Sequence, residues 1–319
     1  MTLRLKGYRF GARKGLEKFS KNQLSDVEVV LGEANELVRE GVRSVLHDYG
    51  FRHVRTFAHL PDLINAIREC PPDLLLVSDN IDPALFDVVR DIRHFKIGRN
   101  PFMIISLMVA AENGEAVRRA ILAGSDDVMI KPVAPCAMLD RVAYFTMSRM
   151  PFIATNDYLG PERRKSGDGR PSSIRRLDVV NTLKAKVEGH RISMMDLDRV
   201  VEGSMKDVMS ARLDSHGLKL GLVCGHILKA YEENRIDKEL KERLLILGGV
   251  LEDAARTARA IGQPDLVKIC TRMARQVEEM AEHYEHPTSP QLETIQKLTK
   301  AFELAKAAKR GTPDATPPP

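Results

Sequence analysis

From Val27 onward the chain alternates short apolar runs with longer amphipathic stretches. Val27-Glu28-Val29-Val30-Leu31 predicts a first strand, after which Leu37, Val38, Val42, Val45 and Leu46 recur at helical spacing up to Gly50. Residues 53–57 predict a short second strand, and residues 60–70 a helix that Pro71-Pro72 stops. Residues 73–78 are almost wholly apolar, the pattern of a strand covered by helices on both faces. A third helix starts near Pro83 and carries Leu85, Val88, Val89 and Ile92. Residues 102–109 predict a fourth strand, and residues 115–123 a helix closed by Gly124 as its C-cap. Residues 127–130 predict a fifth strand, and residues 135 to about 149 a fifth helix. Five strand–helix units in succession imply an α/β, flavodoxin-like fold with a doubly wound, five-stranded parallel sheet.

The second half has another character. Residues 160–173 are rich in Gly, Pro, Ser, Arg and Lys, with no apolar period, and read as part of a linker over 151–173. Beyond residue 174 every apolar pattern is helical. One stripe runs through Met194, Leu197, Val201, Met205 and Val208, and another through Leu240, Leu244, Leu247 and Leu251. A third takes Val267, Cys270, Met273, Val277 and Met280, and a fourth Leu292, Ile295, Leu298, Phe302 and Ala305. The expected organisation is a basic flexible N-terminus over 1–25, an α/β domain over 26–150, the linker, an all-α domain over 174–308 and a Pro-rich disordered tail over 309–319.

Composition narrows the class. A chain of 319 residues is long for one domain, and 43% hydrophobic with 29% charged residues suits globular cores with solvated surfaces. No stretch approaches the roughly 20 apolar residues of a membrane span, and the basic N-terminus has no apolar core of a secretory signal, so a cytoplasmic setting is expected. Cys70, Cys136, Cys224 and Cys270 are scattered and read as reduced, buried thiols. A net charge of +5 permits an anionic partner, but Arg163-Arg164-Lys165 and Arg175-Arg176 read as solvated charge runs, and nucleic acid is not expected. The Met-rich stripes read as core or as a helix-partner surface. No phosphate-binding loop, nucleophile elbow or metal-ligand cluster stands out, so no enzyme is expected.

Candidate chemistry lies at strand ends. Asp79 closes the third strand and Lys131-Pro132 the fifth, so a carboxylate and an ammonium can meet over the carboxyl edge of a parallel sheet, where open α/β folds place ligands. Taken alone, Asp79 reads equally as a helix N-cap or a turn residue. The order and spacing of several motifs add more: Asp79 with Pro83 beyond it, Leu37-Val38-Arg39-Glu40-Gly41, Ala123-Gly124-Ser125-Asp126-Asp127, and Lys131-Pro132. Over about residues 26–150 this pattern resembles the receiver domain of two-component response regulators. The helical half resembles no family by the same reading.

The resemblance implies that Asp79 accepts a phosphoryl group from a histidine kinase, a phosphotransfer protein or a small phosphodonor, that Lys131 contacts the phosphoryl oxygens, and that Mg²⁺ assists. By position it implies Glu33, Asp79 and the backbone carbonyl of Ile81 as the metal's protein ligands. Phosphorylation would then alter contacts with the helical half, with a downstream protein or within a homodimer. Three positions depart from the family pattern: Ala34 stands where a second acid is usual, Val109 where a hydroxyl is usual, and Val128 where an aromatic is usual. Ser106 could supply the hydroxyl only across a longer loop. A receiver without its phosphate step, acting as a docking module, is therefore an alternative. In the second half, His226-Ile227-Leu228-Lys229-Ala230 is similar to the active helix of histidine phosphotransfer domains, with alanine for glycine, which would make His226 a phosphoryl carrier.

Overall fold

The computed structural model describes residues 20–110, 114–163, 174–190 and 192–307. Most of the expected flexible N-terminus, the heart of the linker and the expected disordered tail lie outside the described residues. The chain divides into two compact units. The first holds most of the described residues up to Ser204, and the second runs from Met205 together with short pieces near residues 154–157 and 175.

In the first unit, β1 (Glu28–Gly32), β2 (His53–Phe57), β3 (Leu74–Ser78), β4 (Ile104–Ala110) and β5 (Asp127–Lys131) form one sheet in the order β2-β1-β3-β4-β5. Every pairing in it is parallel. This is the doubly wound order of flavodoxin-like proteins and bears out the expected fold class. Side chains alternate between faces. Val29, Leu31, Leu74, Leu76, Ile104, Met108 and Met129 join a core under α2 (Glu36–Tyr49) and α6 (Pro135–Met147). Val30, Leu75, Val77, Ile105, Leu107 and Val109 join a second core under α3 (Leu60–Glu69), α4 (Leu85–Arg93) and α5 (Gly114–Leu122).

Local chemistry sets the element ends. The Asn35 side chain accepts from the Val38 N–H to start α2, and Gly50, at φ 115°, ends it in the left-handed region. In α2 the sequence expectation is partly corrected. Leu37 and Val38, at the helix start, are 85% and 46% exposed, and Leu46 supplies its fully buried contact.

The first unit also extends beyond residues 26–150. A short helix, α1 (Lys21–Leu24), and α7 (Thr182–Val187) bring Leu24, Leu183 and Val187 into the core beneath α2 and α6. Gln23 Nε2 donates to the Val187 carbonyl at 3.1 Å. The stretch read as a linker contains a two-stranded sheet of β6 (Phe152–Ala154) and β7 (Leu159–Pro161). Strands of three residues are too short to display a period of two, which is why the pattern missed them. Cys136 is exposed and Cys70 half-buried, against the expectation of buried thiols, whereas Cys224 and Cys270 are buried.

A charged knot ties these additions to the sheet. Asp126 accepts from Arg93 Nη2 at 2.7 Å, from Arg149 Nε at 2.8 Å and from the Ile105 N–H at 2.9 Å. Arg93 Nε donates to the Gly124 carbonyl at 2.8 Å, and Arg149 Nη1 to those of Phe102 at 2.7 Å and Val180 at 3.0 Å. Both guanidinium groups lie over the Phe152 ring, at 5.2 and 4.7 Å. Burial alone would raise the Asp126 carboxyl, but Arg149 and Arg93 outweigh it and hold it below the usual carboxylate range. Burial also pulls Arg93 down to about 10, against the attraction of Asp126.

The second unit is helical, as expected. Helix α8 (Met194–Glu232) begins in the first unit and continues into the second, followed by α9 (Lys238–Ala260), α10 (Pro264–Glu282) and α11 (Ser289–Ala307). Three of the four expected stripes form its core: Leu240, Leu244, Leu247 and Leu251 from α9, Cys270, Met273, Val277 and Met280 from α10, and Ile295, Leu298 and Phe302 from α11, whereas the stripe from Met194 to Val208 lies outside it. Met194 and Met195 are exposed. His216, on α8, is fully buried, with Nε2 3.4 Å from the Thr257 hydroxyl of α9. Burial, reinforced by Arg212, holds its imidazole down at about 4 and so neutral near pH 7. No helix among the described residues is long and apolar enough to cross a membrane.

Candidate functional site at the strand ends

Four strands deliver the site. Gly32 ends β1 and places Glu33 at the carboxyl edge. Ser78 ends β3 and places Asp79 there, while Ala110 and Lys131 are the last residues of β4 and β5. The ladder continues one residue past two of these strands: the Glu33 N–H donates to the Phe57 carbonyl at 3.0 Å and the Asp79 N–H to that of Met108 at 2.9 Å. These bonds fix the direction in which each acid leaves its strand. A Cβ at Gly32 would lie 2.8 Å from Val77 Cγ2 and 2.9 Å from Ile81 Cδ1, so these side-chain tips would have to shift to admit one.

Asp79 and Lys131 come together. Lys131 Nζ lies 2.6 Å from Asp79 Oδ1 and 2.9 Å from Ser78 Oγ, while the Ala110 N–H donates to Asp79 Oδ2 at 3.0 Å. Each carboxylate oxygen of Asp79 therefore has its own donor. The Lys131–Pro132 peptide is cis. The Asp79 side chain keeps 12% of its surface open and that of Lys131 27%, so the pair stays in reach of a small ligand.

Glu33 enters the site differently. It is 1% exposed, and its Oε1 accepts from the Asn35 N–H at 2.8 Å and from Asn80 Nδ2 at 2.6 Å. Its backbone carbonyl accepts from Arg39 Nη1 at 2.8 Å. Ile81 is buried, with its N–H on the Ser78 carbonyl at 3.2 Å. Mg²⁺ takes an octahedral array of hard oxygens, usually one or two carboxylates completed by several retained waters. Glu33 Oε1 is committed to two N–H donors and Asp79 to Lys131 and Ala110, and the neighbouring position is Ala34. The expected set of Glu33, Asp79 and the Ile81 carbonyl thus offers two carboxylates whose bonded oxygens already have donors, a sparse set for a receiver-type Mg²⁺ site.

Of the other positions weighed from the sequence, Val109 is fully buried in the apolar core and offers no donor. Ser106 is buried as well, and its hydroxyl bonds Asp127 Oδ2 at 3.3 Å rather than reaching the pocket. Burial raises the Asp127 carboxyl, against the opposing pull of Arg141. Val128 is half-buried against the core. In the second unit, His226 is exposed on α8, and Lys229 one turn later pairs with Glu233 at 3.7 Å. Sequence reasoning missed Asn80, Ser78 and the Ala110 N–H. A short amide directly after Asp79 was the legible signal for the first, and backbone donors leave no trace in composition.

Beside the pocket, Val38, Val42, Val45, Met108, Val133 and Met138 line an apolar cavity of about 290 Å³.

No protein-family model and no curated protein matches the chain. Among solved structures it is similar to the chemotaxis response regulator CheY4 of Vibrio cholerae, with 20% identity and a TM-score of 0.32, over 36% of this chain and 95% of that one. It is also similar to the response regulator DrrB of Thermotoga maritima, an OmpR/PhoB homolog, with 18% identity and a TM-score of 0.35, over 58% of this chain and 89% of that one. The fold assignment above rests on sheet order and register.

Proposed function

We propose that this chain is a receiver-like signalling protein that works through protein contacts, with an Asp79 pocket closed by its own donors rather than operated by a phosphoryl group. The observation that carries this reading is the full engagement of Asp79, with Lys131 Nζ on Oδ1 and the Ala110 N–H on Oδ2, beside Val109 where a hydroxyl would be needed. An incoming phosphoryl group would have to displace the donor on the oxygen it takes, and Val109 supplies no hydroxyl to hold its charge. Leu37 and Val38, exposed at the start of α2 near the apolar cavity, offer a face for a protein partner.

A second reading is favoured by one contact. A lysine 2.6 Å from an aspartate at the sheet edge is also the pair a phosphoacceptor needs, with a histidine kinase or phosphotransfer protein as donor. Beryllofluoride, which mimics a phosphoryl group on aspartate, separates the two. With Mg²⁺ present it should leave the amide resonances of Ala110 and Lys131 unmoved. Saturable shifts in the wild type that vanish in Asp79→Asn would establish the phosphoacceptor reading instead.

A further inference from the structure

The loops after β1 and β3 each bring a carboxylate to the same edge, and something must hold them together against their like charge. Glu33 poses the sharper problem, because a carboxylate that is 1% exposed needs donors or a counter-charge. Its Oε1 receives the Asn35 N–H from its own loop and Asn80 Nδ2 from the β3 loop, at 2.8 and 2.6 Å. The Asn80 bond crosses between loops, which is the place a bridging cation takes in a metal-dependent pocket.

We infer that the Asn80 amide substitutes for a divalent cation, cross-linking the β1 and β3 loops through Glu33 so that the pocket holds its shape without Mg²⁺. This deepens the closed-pocket reading and rests on it. The charges agree: Lys131 offsets Asp79, and Ala34 removes the acid that would make the edge strongly anionic. Both donors bond the same Glu33 oxygen, Oε1, so a cation entering here would have only the other oxygen of Glu33 together with Asp79, a thin set for an ion that gives up its waters reluctantly.

The test is calorimetric titration of the full chain with Mg²⁺ alone, for the wild type and two variants. Ala34 is exposed, so Ala34→Asp adds a ligand without disturbing a core. Asn80→Asp keeps the shape and exchanges the donor for an acceptor beside Glu33. The wild type should show no saturable heat at millimolar Mg²⁺, whereas each variant should bind at least about tenfold more tightly. Asn80→Asp should in addition melt at a higher temperature with Mg²⁺ than without. Saturable binding by the wild type that matches Ala34→Asp would overturn the inference, and so would silence from all three proteins. Wild-type Mg²⁺ binding with no response to beryllofluoride defeats this inference but leaves the closed-pocket reading standing. A beryllofluoride response defeats that reading itself.

Discussion

Asp126→Ala should destabilise the first unit by about 3–5 kcal/mol, the usual cost of removing one member of a buried ion cluster. The carboxylate sits between two guanidinium groups, at 2.7 Å from Arg93 and 2.8 Å from Arg149, with side chains 0% and 6% exposed. Its removal leaves two positive charges facing each other in the interior with no counter-ion. It also strips the Ile105 N–H of its acceptor in the middle of the sheet. Asp126→Asn, which keeps the shape but loses the charge, should cost less. Hydrogen exchange of the β4 and β5 amides in rising urea measures the effect, because those strands flank Asp126. A loss below about 1 kcal/mol would mean that the knot does not hold the unit together.

The second large effect is expected at Gly124. Its φ of 89° lies in the left-handed region, and a Cβ there would run into the Leu159 carbonyl of β7 and come within 3.1 Å of Arg93 Cγ. Gly189 has nearly the same φ, 86°, with nothing near its Cβ position. Gly189→Ala should therefore show the backbone cost alone, about 1 kcal/mol, and Gly124→Ala that cost plus a further 1–3 kcal/mol of overpacking. Urea midpoints of the two variants give the difference. Equal midpoints would show that β7 does not press on this turn.

How much was legible in advance follows from the range of each signal. Four of the five strands of the main sheet could be read because each is a run of at least five residues with one or both faces buried, and the partly exposed β2 also lies where the pattern put it. The helical stripes through Leu240–Leu251 and Cys270–Met280 were legible for the same reason, a period sustained over three turns or more. Strands β6 and β7 were not, since three residues carry no period. Helix α7 lies in the half whose other helices form the second unit, and nothing local shows that Leu183 and Val187 join the first core.

The site divides along similar lines. Motif order placed Asp79 and Lys131 at the carboxyl ends of two strands of one sheet, where the structure has them in contact across β4. The departures at Ala34 and Val109 were visible as residue types. What they meant for Glu33 was not visible, because the Asn80 bond joins residues 47 positions apart. Arg93 falls one turn past Val89 on the buried face of α4, a charged residue at an apolar position, and that was the unread sign of the Asp126 knot.

The closed state of the Asp79 pocket is tested most directly by intact mass after incubation with a small acyl phosphate and Mg²⁺. The wild type should show an unchanged mass, with no more adduct than Asp79→Asn. A single phosphoryl adduct on the wild type, absent from Asp79→Asn, would contradict it.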